Sequence, residues 1–154
     1  MLHNLLLLTL VGSCLAPSLA LAECGKGTQT VFSCTTAKGK VIEVCDAGKT
    51  IDYSFGKPDS KPEIVVKAPR QAASTTQWQG IGRTMSYSVE VPNGNTRYSV
   101  FWSVDKMMEG DTQEPAIEAG VAVEINQKPV ATVRCDNKKP IVQEIEGIDL
   151  KATE

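Results

Sequence analysis

The sequence predicts an all-β fold, namely a single antiparallel β-sandwich or an up-and-down barrel of about eight strands with a short helical or irregular C-terminal tail. Three observations support this prediction. Apolar and polar residues alternate in short runs that are rich in β-branched and aromatic side chains. Turn residues separate these runs at intervals typical of sequential hairpins. Before the tail, no run shows the spacing of an amphipathic helix.

The first 22 residues have the pattern of a secretory signal peptide. A long apolar run ends near Pro17, and the small residues Ala20 and Ala22 form a cleavage site ahead of Glu23. A membrane anchor is the weaker interpretation because Pro17 shortens the apolar run. Lipid attachment at Cys14 is a further alternative, but it would leave apolar residues exposed on the mature protein. We therefore expect residues 1–22 to be removed and residues 23–154 to form one disulfide-bonded β-domain, periplasmic or secreted.

Cleavage would leave 132 of the 154 residues, which suits one ordinary domain. The formal net charge of −2 and the lack of a basic cluster disfavour nucleic acid or an anionic membrane as a partner. The single histidine, His3, would leave with the leader, so the mature chain would lack a Ser-His-Asp or Cys-His site. We expect a protein that is not an enzyme, has no cofactor or metal, and is not inserted in a membrane.

Cysteine usage predicts two disulfides. Of the five cysteines, four follow the cleavage site, and an even number in an exported chain implies pairing. A two-residue turn at Gly39 and Lys40 would place Cys34 opposite Cys45. The preferred pairs are therefore Cys34–Cys45 and Cys24–Cys135. Buried free thiols and the other connectivities remain alternatives.

The strands are predicted in chain order from the alternating runs. The first hairpin joins residues 31–34 to 41–45, and half-buried strands follow at 50–55 and 63–67. The sequence Asn93-Gly94 is a strong hairpin signal between strands 84–91 and 96–104. A last hairpin joins residues 119–126 to 130–135 around a turn at 127–129. Apolar residues at roughly helical spacing predict one or two helical turns within residues 141–148.

Two long segments, 67–83 and 105–120, are predicted to be loops. Loops of this length in a compact domain are commonly functional or disordered. Trp78 either folds back over the core or is an exposed anchor for a partner. Met107 and Met108 either fill gaps in the core or contribute to a binding surface.

Acidic residues cluster in the second of these loops. A solvated loop explains them most simply, while a carboxylate pair of the kind that hydrolyses glycosides is the alternative. The residues concerned are Glu109, Asp111, Glu114 and Glu118.

The overall layout resembles the periplasmic lysozyme inhibitors of bacteria. These are small disulfide-bonded antiparallel proteins with an early and a late cysteine-bearing strand, and their inhibitory loop carries a Ser-Gly-x-Tyr motif ahead of a late strand. The matching place here is residues 119–122. Gly120 agrees with the motif, whereas Ala119 and Ala122 replace the serine and the tyrosine. The resemblance implies inhibition of a lysozyme, with Gly120 near the contact.

The chain is also similar to exported proteins of Gram-negative bacteria that carry two cysteines across a hairpin followed by Tyr-x-Phe-Gly. Here the corresponding residues are Cys34, Cys45, Tyr53, Phe55 and Gly56. This second resemblance implies an exported all-β protein and no particular activity.

Taken together, these patterns predict an exported, non-enzymatic binding protein that acts through the two long loops. The candidate binding residues are Trp78, Met107, Met108 and Gly120, and the expected partner is a lysozyme or an envelope protein. The alternatives are a structural or envelope-assembly module without a soluble ligand, and a carboxylate-dependent hydrolase.

Overall fold

A computed structural model describes residues 24–106 and 115–154 of the chain. In these ranges the backbone forms strands without helices. The strands are β1 (Gln29–Thr35), β2 (Val41–Asp46), β3 (Thr50–Gly56), β4 (Ile64–Pro69), β5 (Ser74–Thr76), β6 (Thr84–Asn93), β7 (Thr96–Asp105), β8 (Ile117–Ile125), β9 (Lys128–Arg134), β10 (Ile141–Gln143) and β11 (Lys151–Ala152). The predictions for residues 1–22 and for Met107, Met108, Glu109, Asp111 and Glu114 lie outside the described residues.

The strands form two sheets that pack face to face, which confirms the predicted β-sandwich and excludes the barrel. The first sheet has the order β10-β1-β2-β3-β4, and the second has the order β11-β5-β6-β7-β8-β9. Neighbouring strands pair antiparallel, apart from the parallel pair of β11 and β5 in the described part of the chain. The chain crosses from the first sheet to the second between β4 and β5.

Three short strands were not predicted. β5 lies within the segment that was expected to be a loop, and β11 lies in the C-terminal tail. β10 replaces the helical turns predicted for residues 141–148, because Ile141 and Gln143 pair with Cys34 and Phe32 of β1. The apolar residues of this tail complete the first sheet and the core rather than forming a helical face.

The core lies between the inner faces of the two sheets. One row crosses the first sheet through Phe32, Val44, Tyr53 and Val66, which pair in register and are all buried. The ring of Tyr53 stacks on that of Tyr98 in the second sheet, with 4.6 Å between centroids. Stacked aromatic pairs stabilise by about 0.5–1.5 kcal/mol beyond their buried area, so this contact helps to fix how the sheets face each other.

The predicted disulfide pairing is wrong, although all four cysteines are paired. Cys24 bonds Cys45 and Cys34 bonds Cys135. The reason is the register of β1 and β2, in which Cys34 lies opposite Ile42 rather than Cys45. Side chains alternate between the two faces of a strand, so Cys34 points with Ile42 towards the core while Cys45 points to the outer face.

The turn between β1 and β2 explains this register. The pair Thr35–Val41 leaves five residues, 36–40, in the connection instead of the two that were predicted. The backbone N–H of Thr36 donates to the carbonyl oxygen of Lys40 at 2.8 Å, and Gly39 has a φ of +74°, a value that favours glycine. Gly39 lies in the turn as predicted, but the connection is three residues longer than the predicted one. Two disulfides fit a chain that folds in an oxidising compartment.

The other hairpin turns fall at or near their predicted places. The hairpin predicted from Asn93-Gly94 is confirmed: Asn93 pairs with Thr96, and Gly94 and Asn95 form a two-residue loop. The last hairpin turns one residue early, at Asn126 and Gln127, whose φ values of +51° and +63° fit a type I′ turn. In the described ranges, no helix is long and apolar enough to cross a membrane.

Candidate functional site

The loop of residues 77–83, which we call the tip loop, connects β5 to β6 and carries an exposed apolar side chain. The predicted loop of 67–83 is shortened to this segment, because β4 extends to Pro69 and β5 follows. Ile81, which lies within this loop, is 84% exposed. The other exposed large hydrophobic residues among those described are less accessible, at 55% for Val65 and Val130 and 40% for Ile125.

Trp78 stabilises the tip loop from within. Its indole N–H donates a hydrogen bond to the carbonyl oxygen of Ile81 at 3.1 Å. Its ring is half-buried and packs against the core, while the ammonium nitrogen of Lys106 lies 4.2 Å from the ring centroid. A cation–π contact of this type contributes about 0.5–1 kcal/mol at an exposed site. Trp78 therefore folds back over the core, and the exposed position in this loop belongs to Ile81.

Gln77 fixes the first end of the tip loop. Its side-chain amide donates to the carbonyl oxygen of Ile145 at 3.0 Å and to the hydroxyl oxygen of Thr75 at 2.9 Å. Its side-chain oxygen accepts from the backbone N–H of Gly147 at 3.0 Å. The beginning of the loop is thereby bonded to the C-terminal part of the chain.

Arg83 fixes the other end. Its guanidinium donates to both carboxylate oxygens of Asp105 at 2.6 and 2.7 Å, and its carbonyl oxygen accepts from the backbone N–H of Lys106 at 3.2 Å. Gly80 and Gly82, with φ of +79° and +96°, supply the backbone conformation on either side of Ile81. Ile81 is thus presented by a short loop whose two ends are both held in place.

Gly120 lies in β8, in agreement with the predicted strand 119–126, and does not belong to a projecting loop. β8 begins at Ile117, so the last residues of the segment predicted as a loop, 105–120, belong to this strand. Gly120 is buried between Phe101 of β7 and Arg134 of β9, and a Cβ built on it would overlap the carbonyl oxygen of Val133. Its local role is to let β8 and β9 approach closely. The stretch that resembles the inhibitor motif therefore presents no projecting loop here.

Three cavities in the described ranges contain charged groups of opposite sign that pair with each other. One of them, about 610 Å³, lies beside the start of β8, and its Glu118 and Arg134 form an ion pair of 3.0 Å. Two smaller cavities of about 220 and 280 Å³ share Arg97. The guanidinium of Arg97 forms an ion pair with the carboxylate of Glu124, and its Nε lies 3.8 Å from a carboxylate oxygen of Glu90. These arrangements resemble surface ion pairs more than reactive sites.

One cluster of groups could in principle hold a metal ion. Within the described ranges, it is formed by Cys24, Glu43 and Cys45, whose potential ligand atoms lie within 4.8 Å of one another. Both sulfur atoms belong to the same disulfide, so the thiolates that zinc prefers are not present. Burial raises the pKa of the Glu43 carboxyl, and a hydrogen bond from Ser54 partly offsets this effect.

Comparison of the chain with protein-family models, with curated proteins and with solved structures finds no match.

Proposed function

We propose that this chain is an exported, non-enzymatic binding protein that docks Ile81 of the tip loop into an apolar cleft of a protein partner. The observation that carries the proposal is the exposure of Ile81 on a loop whose ends are bonded through Gln77 and Arg83. A loop whose two ends are already held by hydrogen bonds loses little conformational entropy on binding, and this raises the affinity for a given contact area. The two disulfides and the leader-like first 22 residues support a periplasmic or secreted location.

The chemistry of the tip loop suits recognition more than catalysis. Gln77 and Arg83 are hydrogen-bonded to the rest of the fold, and the exposed side chain between them, Ile81, is aliphatic. Apolar side chains that fill a partner's pocket at the centre of an interface supply a large share of the binding energy. Lys106, beside Trp78, adds a positive charge at the edge of the same surface. The partner cleft would therefore combine an apolar floor with a neutral or acidic rim.

Ile81→Ser is expected to weaken binding of the partner by about 5- to 30-fold, because loss of a central apolar contact costs about 1–2 kcal/mol. The mature protein would be immobilised and exposed to envelope extracts and host-fluid extracts, and captured proteins identified by mass spectrometry. Val65→Ser is the matched control, since Val65 is also exposed but lies on β4 of the other sheet. A partner that binds the Ile81→Ser variant as tightly as the unchanged protein would contradict the proposal.

The resemblance described above makes lysozyme the first partner to test. Purified mature protein would be expected to slow a lysozyme at a near-equimolar ratio, and Ile81→Ser to relieve the inhibition. Inhibition that survives Ile81→Ser would place the contact elsewhere on the molecule. If lysozymes of different types are all unaffected, the lysozyme proposal fails, and co-purification with an envelope complex would then favour an assembly module.

A further inference from the structure

The two sheets end in four edge strands, which differ in how well they are protected against pairing with another chain. β10 has three residues and β11 has two, and short edge strands offer little to pair with. β9 is irregular, because a bulge shifts its register and Pro129 lacks a backbone donor. β4 pairs with β3 without a shift and carries the exposed Val65. Among the described residues, no strand pairs with the outer edge of β4.

The backbone groups of β4 that point away from the sheet belong to Val65 and Lys67. The backbone N–H of Arg70 donates to the carbonyl oxygen of Lys49 at 2.9 Å, so residue 70 is bonded on the side of β3. In an antiparallel pair, successive residues of a strand direct these groups to alternate sides. Residues 64, 66 and 68 therefore bond to β3, whereas the N–H and C=O groups of Val65 and Lys67 point outward. Unpaired groups of this kind are a template for an added strand.

Charged side chains of opposite sign lie on either side of Val65. Glu63 precedes it by two residues and forms an ion pair of 2.7 Å with Lys40. Lys67 follows it by two residues and lies 3.5 Å from Asp52. The side chains of Glu63 and Lys67 are 47% and 68% exposed, so each has room for a second group of opposite charge.

Charge selects one register for the antiparallel pairing of two β4 strands about a two-fold axis. An axis at Val65 places the two copies of Val65 opposite each other and Glu63 of each copy opposite Lys67 of the other. An axis at residue 64 or 67 would oppose lysines, and an axis at residue 66 would place Val65 opposite Lys67. Cross-strand pairs of opposite charge stabilise a sheet, whereas like charges destabilise it. The register about Val65 therefore matches both the apolar and the charged positions.

We propose that the outer edge of β4 binds a second copy of this chain, antiparallel about a two-fold axis at Val65. The first sheets of the two copies would form one continuous sheet, with the same surface used on both. Charges would alternate across the contact, from Asp52 and Lys67 of one copy to Glu63 and Lys40 of the other. Such a network contributes more than an isolated surface ion pair. This surface is separate from the proposed partner binding, because the tip loop belongs to the second sheet.

Sedimentation of the exported protein over a range of concentrations measures the dimer directly. Val65→Lys is expected to weaken dimerisation by about tenfold or more, because it places like charges beside the two-fold axis. Val130→Lys is the matched control, since Val130 is equally exposed, at 55%, but lies on the edge strand β9 of the other sheet. The control should dimerise like the unchanged protein, and thermal unfolding checks that both variants are folded.

Charge reversal tests the register itself. Glu63→Lys alone and Lys67→Glu alone each place like charges opposite one another at both symmetry-related positions of the dimer. Each variant is therefore expected to be monomeric at concentrations where the unchanged protein is a dimer. In a mixture of the two variants, a heterodimer has lysine opposite glutamate at both positions, so the dimer is expected to return.

Four results would overturn the proposal. The first is a monomer at every concentration up to about 1 mM, which marks negligible affinity. The second is a dimer that Val65→Lys weakens no more than Val130→Lys does. The third is a mixture of the two charge variants that stays monomeric. The fourth is an extended segment of a different protein bound along β4 while the chain itself remains monomeric.

Each of these results leaves the Ile81 proposal intact, since a single copy presents a complete tip loop. Partner affinities are compared at concentrations where the chain is monomeric, so that Val65→Ser remains a valid control for Ile81→Ser.

Discussion

Replacement of Cys34 and Cys135 by alanine is expected to lower the free energy of unfolding by about 4.7 kcal/mol, against about 3.4 kcal/mol for replacement of Cys24 and Cys45. The first pair spans 101 residues and the second spans 21, and a longer loop removes more entropy from the unfolded chain. The first pair also links β1 of the first sheet to the residue that follows β9 of the second. Domains commonly have only about 5–15 kcal/mol of stability, so the variant without this bond should be marginal.

Urea unfolding of the two double variants would measure this difference. Equal losses, or a greater loss for Cys24 and Cys45, would contradict the expected order. Tryptic digestion without reductant checks the pairing itself, because Lys38 and Lys40 separate Cys34 from Cys45. The expected products link the peptide of Cys34 to that of Cys135. A peptide linking Cys34 to Cys45 would instead restore the pairing predicted from the turn.

The strand content of the fold could be predicted because it is encoded locally. Residues 84–91 alternate clearly, and the observed strand is Thr84–Asn93. The turn at Gly94 follows from the Asn-Gly sequence. The register between β1 and β2 is different, since residues 36–40 are compatible with both a two-residue and a five-residue connection. A change of three residues in this connection was enough to reverse the face on which Cys45 lies and hence the disulfide pairing.

The short strands could not be predicted from local pattern. β10 exists because Ile141 pairs with Cys34, more than 100 residues earlier, and a segment of three residues shows no periodicity of its own. The parallel pairing of β11 with β5 is similarly remote in sequence. Tertiary pairing therefore decided the structure of the tail, where the spacing of apolar residues alone had indicated a helix.

The candidate site was predicted only in part. The sequence predicts segment 67–83 as a candidate, and within it indicates Trp78, because a large aromatic residue is the usual anchor of an interface. In the structure the indole of Trp78 supports the loop, and Ile81 is the exposed residue. An isoleucine between Gly80 and Gly82 in an otherwise polar segment was a usable signal, since an apolar side chain between two flexible residues has no strand or helix to bury it.

Gly120→Ala is expected to destabilise the protein by about 3 kcal/mol, as overpacking against rigid neighbours does. The added Cβ would overlap the carbonyl oxygen of Val133 and come within 3.0 Å of the Cα atom of Arg134. Both contacts are with backbone, which can move only if β9 separates from β8. Gly25→Ala is the matched control, because nothing lies within 4 Å of its added Cβ. That variant should be neutral or slightly more stable, since alanine restricts the unfolded chain.

This variant also separates the two roles assigned to Gly120. The position of Gly120 between Phe101 and Arg134 indicates that the glycine allows close strand packing. In that case Gly120→Ala should lower the unfolding temperature by about 10 °C. At low temperature, where the variant is folded, its affinity for the partner should be unchanged. If the glycine contacts the partner, as the resemblance to lysozyme inhibitors implies, binding at low temperature should weaken. Titration of the partner well below the unfolding temperature decides between them, because only a contact residue alters the affinity of the folded molecule.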